Sequence, residues 1–69
     1  MKLSARNLIP GKVKKVTPGA VNAEILIEVT PGVEVVSIIT MNSVERMGLK
    51  EGDEVKAMIK ASSVMVVKD

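Results

Sequence analysis

Two Thr-Pro-Gly triplets bracket one strictly alternating segment, and this arrangement constrains the fold more than any other feature. Thr17-Pro18-Gly19, followed by Ala20, precedes the segment, and Thr30-Pro31-Gly32 ends it. Proline presets φ and glycine accepts positive φ, so each triplet reads as a turn. Between them Val21, Ala23, Ile25, Ile27 and Val29 fall at every second position, interleaved with Asn22, Glu24, Leu26 and Glu28. A period of two puts the first set on one face of a half-buried strand. Leu26 interrupts the polar face and is a candidate for contact with another subunit.

The flanking segments extend the β pattern. Residues 8–16 read as a first strand in which Val13 and Val16 are out of strict alternation. Pro10-Gly11 predicts a bulge or a strand edge there, because proline has no N–H to give and glycine weakens a ladder. Lys12, Lys14 and Lys15 read as a charged edge that blocks unwanted pairing, with an anion-attracting face as the alternative. Residues 33–40 form a third strand whose apolar second half calls for cover on both faces. Residues 42–48 read as a short helix, with Asn42 and Glu45 as a capping box and Gly48 as its left-handed stop. Val44 and Met47, at i and i+3, are placed to plug a barrel end. Residues 54–59 alternate as a fourth strand, and Val64-Met65-Val66-Val67 reads as a short, buried fifth. The expected fold is therefore mainly all-β, a small five-stranded OB-like Greek-key barrel with one short helix.

Composition narrows the function. A chain of 69 residues buries only about 60% of its unfolded surface, and such scaffolds usually need a staple. With no cysteine and no histidine, disulfides and zinc, haem or iron–sulfur sites are excluded as that staple. Oligomerisation remains, and an apolar fraction of 46% points the same way. No aromatic residue is present and the net charge is only +2. That argues against a nucleic-acid binder, which stacks bases on aromatic side chains and follows a basic stripe. No apolar run reaches the ~20 residues needed to span a bilayer. Met1-Lys2-Leu3-Ser4 is not followed by the apolar core of a signal peptide. A cytoplasmic protein without membrane contact is the default expectation. No nucleophile–base pair or metal set supports an enzyme.

What the polar residues offer is hydrogen-bond donors. Ser4 and Arg6 precede the first strand. Thr40 and Ser43 lie where the third strand gives way to the helix, whose first turn adds backbone N–H groups. Lys60, Ala61, Ser62 and Ser63 lie between the last two strands. Taken singly, each of these also reads as an ordinary tail, cap or turn.

Ser4-Ala5-Arg6-Asn7 with Pro10-Gly11-Lys12-Val13 resembles the start of the Mop domain. Thr40 with Ser43-Val44-Glu45 and Gly48-Leu49-Lys50-Glu51-Gly52-Asp53 resembles its middle, and Ile59-Lys60-Ala61-Ser62-Ser63-Val64-Met65 its end. The likeness covers residues 1–69 as a single domain, and a free-standing Mop domain of this length resembles the molbindins. The resemblance implies a cytoplasmic protein that binds and stores molybdate, with tungstate as a surrogate and no organic cofactor. It implies a hexamer, a trimer of dimers, with the oxyanion between subunits. Carried over residue by residue, Ser4, Arg6, Lys60, Ala61 and Ser62 form one half of a site, with Arg6 and Ala61 acting mainly through backbone N–H. Thr40 and Ser43 of a partner subunit form the other half. Gly19, Ala20, Val21 and Asn22 are the candidates for a second kind of site nearer the oligomer axis. Ala61 departs from relatives that carry a hydroxyl there, and the Lys12, Lys14 and Lys15 surface is not part of the motif. The alternative function is an anion-sensing regulatory module that docks to a molybdate transporter ATPase or a transcription regulator.

Overall fold

Antiparallel pairing organises nearly all of the described residues of the computed structural model, which are Lys2 and residues 4–69. Met1 and Leu3, part of the opening tetrapeptide considered above, lie outside them. The elements in order are β1 (Asn7–Pro18), β2 (Asn22–Thr30), β3 (Val33–Thr40), α1 (Met41–Met47), β4 (Glu54–Ile59) and a 3-10 turn over Ala61–Ser63. The sheet order is β3-β2-β1-β4, with every neighbour antiparallel. That order is the Greek-key arrangement. It also leaves one free edge on β3 and one on β4.

The alternating segment behaves largely as its pattern requires. Ala23, Ile25 and Ile27 are buried on the inner face of β2 and meet Val13, Val44 and Ala57 in the core. The alternation does not extend to its ends. Val21 is exposed in the turn before β2, and the register shifts between Glu28 and Thr30, around Val29.

A bulge explains the broken alternation of β1, but not where the sequence suggested. Val13 pairs with Ile27 and Lys15 with Leu26, so Lys14 is the extra residue. One inserted residue reverses the parity of the strand, which lets Val13 and Val16 both face the core. Pro10-Gly11 sits instead where β1 pairs with β4 and the β2 ladder has not begun. Val13 gives its N–H to the Asp53 carbonyl and accepts from the Gly52 N–H. By alternation the Pro10 nitrogen then points to the side with no ladder, where a missing donor leaves nothing unpaired. Gly11 is required for a different reason. A Cβ there would lie 2.6 Å from Ile27 Cγ2 and 2.9 Å from the Glu28 carbonyl oxygen.

The helix is capped by Thr40, not by Asn42. Thr40 is extended and its Oγ1 accepts the Ser43 N–H at 3.1 Å. The strand's last residue thus doubles as the cap, which starts the helix two residues earlier than an Asn42 cap would. Gly48 ends it at φ 61°, with its N–H directed to Glu45 and Val44 carbonyls. Val44 is buried against the sheet, whereas Met47 is exposed and plugs nothing. The lysine cluster is a charged strand surface: Lys14 Nζ lies 2.7 Å from Glu34 and 3.7 Å from Glu28.

Among the described residues four strands form, not five. Val64, Met65, Val66 and Val67 belong to no strand and are exposed. Their run is uniformly apolar, so it has no alternation to select a face, and no free edge of its own chain covers it. No residue of the core is less than 2% exposed, which is a thin core even for this size.

Candidate functional site

The β1 ladder sorts the candidate donors into two groups. At its start, Asn7 pairs with Ile59, and Asn7 Nδ2 donates to the Ile59 carbonyl at 3.1 Å. This side-chain clamp ties the segment carrying Ser4 and Arg6 to the segment beginning at Lys60. At the other end, Pro18 pairs with Ala23 and Asn22 with Thr40. The Met41 N–H, on the first residue of the helix, donates to the Val21 carbonyl at 2.8 Å. Gly19, Ala20, Val21 and Asn22 therefore lie beside Thr40 and Ser43. The two ends are separated by the length of β1, roughly 36 Å measured along the strand at ~3.3 Å per residue. Among the described residues no hydrogen bond or ion pair joins Ser4, Arg6, Lys60, Ala61 or Ser62 to Thr40 or Ser43.

The first group is a set of unspent donors. The Ser63 N–H bonds the Lys60 carbonyl at 2.8 Å and the Val64 N–H bonds the Ala61 carbonyl at 3.2 Å. That tight turn leaves the N–H groups of Ala61 and Ser62 without an acceptor among the described residues. The Lys60 ammonium joins no ion pair there either. Ser4, Arg6, Lys60, Ala61 and Ser62 are all exposed. Alanine at position 61 costs the group nothing in backbone donors, since its N–H is the part available.

The second group is bonded within itself. Thr40 Oγ1 accepts from the Ser43 N–H and donates to Ser43 Oγ at 2.9 Å. Arg46 Nη2 also donates to Ser43 Oγ, at 3.3 Å. A hydroxyl has one proton and two lone pairs. Thr40 has spent its proton inside the cap. Ser43 accepts twice and keeps its proton for an outside acceptor. Of the two, Ser43 is the donor and Thr40 the residue that orients it. Sequence reasoning missed Arg46. Its signal was the i, i+3 spacing from Ser43, which places the two side chains together on a helix and adds a guanidinium to this end.

Neither group contains a carboxylate. The open groove of about 860 Å³ elsewhere on the molecule is different. It is lined by Glu28 and Glu54 as well as Lys12 and Lys56, and such a mixed-charge surface does not suit an anion. Among the described residues no cluster of acidic side chains could hold a metal cation. Among the described residues no helix is long and apolar enough to cross a membrane.

Residues 3–66 match the TOBE domain family. The chain is 46% identical over 67 residues to molybdenum-pterin-binding protein 3 of Clostridium pasteurianum, covering 97% of this chain and 98% of that one. It superposes on the structure of a molybdate-binding protein from Sporomusa ovata with a TM-score of 0.92 and 40% identity, over 99% and 100% of the two chains. The cytoplasmic molybdate-binding protein ModG, with molybdate bound, gives a TM-score of 0.88 at 45% identity, over 94% of this chain and 46% of that one. The sheet is thus the OB-like form expected. The chain belongs to the TOBE domain family, among the Mop-type proteins called molbindins.

Proposed function

We propose that this protein is a cytoplasmic, non-catalytic binder and store of molybdate, with residues 1–69 forming one Mop domain. The observation that carries this reading is the sorting of its donors. Ser4, Arg6, Lys60, Ala61 and Ser62 lie at one end of β1, and Thr40 and Ser43 at the other. Each group is half of a site, and a second copy brings the complementary half. The assembly is a hexamer built as a trimer of dimers. The thin core and the exposed Leu8, Val36, Ile38 and Met58 support association, since monomers rarely expose so much apolar surface. Gly19, Ala20, Val21 and Asn22, beside the helix cap, are the candidates for a second kind of site.

The chemistry suits a tetrahedral dianion whose oxygens only accept. Hydroxyls, backbone N–H groups and an ammonium satisfy it completely. Hydrogen phosphate carries a proton that needs an acceptor, and with no carboxylate in either group only hydroxyl lone pairs are offered to it, at the cost of turning a hydroxyl proton away from the anion, which disfavours phosphate. Sulfate is also an all-acceptor anion, so size separates it. Tungstate matches molybdate in charge and shape and competes with it. A hydrogen bond from a charged donor contributes about 1.5–3 kcal/mol. With few full charges facing the anion, binding is reversible.

Native mass spectrometry with molybdate, sulfate and phosphate tests the proposal. A hexamer that gains molybdate and not phosphate is the expected result. An oligomer that takes up phosphate equally would contradict the all-donor site, and a monomer that binds nothing would contradict the proposal as a whole.

A further inference from the structure

Ser43 Oγ receives two hydrogen bonds, from Thr40 Oγ1 at 2.9 Å and from Arg46 Nη2 at 3.3 Å. A hydroxyl oxygen has two lone pairs and one proton, so both lone pairs are filled. Ser43 then meets an outside group only by donating. The arginine completes this state. Its guanidinium has no acceptor atom and does not lose its proton in a protein. Among the described residues it joins no carboxylate, and its side chain is bonded there to Ser43 Oγ alone. A water in its place gives or takes a proton equally well, and would let Ser43 turn its own proton away and accept. Packing sets the geometry. Val44 is buried against the sheet, and Ser43 and Arg46, three residues apart on α1, share a face that solvent reaches.

We propose that Arg46 is a specificity-determining residue. By filling the second lone pair of Ser43 Oγ it holds that hydroxyl as a donor, and so separates tetrahedral oxyanions without a proton from those that carry one. The inference rests on the molybdate reading above and deepens it. Molybdate and sulfate present acceptor oxygens alone, and a locked donor suits both. Hydrogen phosphate presents a P–OH group whose proton needs a lone pair, and Ser43 has none to offer. Arg46 acts here through Ser43, not by touching the anion. Thr40 Oγ1 accepts the Ser43 N–H at 3.1 Å and keeps one lone pair with or without the arginine, so it does not alter the comparison. The difference at stake is one neutral hydrogen bond, about two- to ten-fold in relative affinity.

Competition titrations of the full chain near neutral pH, with molybdate displaced by sulfate or by phosphate, test the proposal. In Arg46→Met the affinity for phosphate should rise about two- to ten-fold relative to both other anions, while the ratio of molybdate to sulfate stays at its wild-type value. Arg46→Ala removes the same donor and should shift the ratios alike. The Arg46 side chain is exposed, so circular dichroism should find the fold of both variants intact. A double-mutant cycle asks whether the effect passes through Ser43. In a Ser43→Ala background, Arg46→Met should leave all three ratios unchanged. Equal weakening of the three anions by Arg46→Met would mark a plain charge effect and overturn the proposal. So would a phosphate gain that persists without Ser43. A wild-type chain that binds no molybdate removes the molybdate reading and this inference together. A chain that binds molybdate with ratios insensitive to Arg46 removes this inference alone.

Discussion

The two donor groups at the ends of β1 are built by opposite means. The helix end is rigid because its polar atoms are bonded to one another: Thr40 caps Ser43, and Arg46 braces it. Among the described residues the loop end is held by one side-chain clamp, Asn7 on Ile59, and its donors have no partner there. The first contributes one oriented hydroxyl, the second an ammonium and free N–H groups. A site that combined both, as proposed, would gain charge from the loop end and geometry from the helix end. The difference gives each end a distinct response to mutation.

The largest effect is expected at the loop end. Lys60→Ala removes a charge-assisted hydrogen bond and should weaken molybdate binding by roughly 10- to 100-fold, read by isothermal titration calorimetry. Unchanged affinity in an intact oligomer would remove Lys60 from the site. Asn7→Ala comes next. It should destabilise the fold by about 1 kcal/mol in urea titrations and weaken binding several-fold by loosening the loop. Equal binding would show that the clamp does not organise the donors.

At the helix end the two hydroxyls should part company. Ser43→Ala removes a neutral donor and should cost a few-fold in affinity, with stability little changed. Thr40→Ala removes the cap and should cost about 1 kcal/mol in stability, with any loss of affinity following from a disordered Ser43. If Thr40→Ala weakened binding more than Ser43→Ala while stability held, the roles would be reversed.

The smallest effect lies in the turn that leads to β4. Asp53 accepts the Lys50 N–H at 3.0 Å and pairs with its ammonium at 3.2 Å. The backbone hydrogen bond first, then the ammonium, lowers its pKa from the ordinary 3.8. A depressed carboxylate stabilises the fold at pH above its unfolded value and loses that contribution as pH falls through its folded value. Asp53→Asn should therefore make acid unfolding less steep below about pH 4, and leave stability at neutral pH nearly insensitive to pH. A steep change near neutrality would point to another group.

Much of this was legible in the chain. The alternation of Ala23, Ile25 and Ile27, the two Pro-Gly turns and the Gly48 stop each rest on local geometry, and local geometry is what a short window encodes. The bulge was signalled by the mismatch of Val13 and Val16, but not located. Its position depends on how β1 pairs with β2, a contact distant in sequence. The Thr40 cap was obscured by Asn42, an equally good capping residue two positions later. The residues at 64–67 were read as a buried strand because they are apolar, although a uniformly apolar run selects neither a face nor a partner strand, and in the structure they are exposed. The donors were named one by one, while their separation to opposite ends of β1 follows only from strand order.

Complementation between two defective chains tests the central claim most directly. Lys60→Ala and Ser43→Ala chains are unfolded together, refolded at equal ratio, and titrated with molybdate. If each site takes its loop half from one copy and its helix half from another, random mixing rebuilds about one quarter of the sites with both halves intact. A fraction of that size should bind with wild-type affinity. If every site lies within one chain, mixing restores none, and the titration will be the sum of the two variants measured apart.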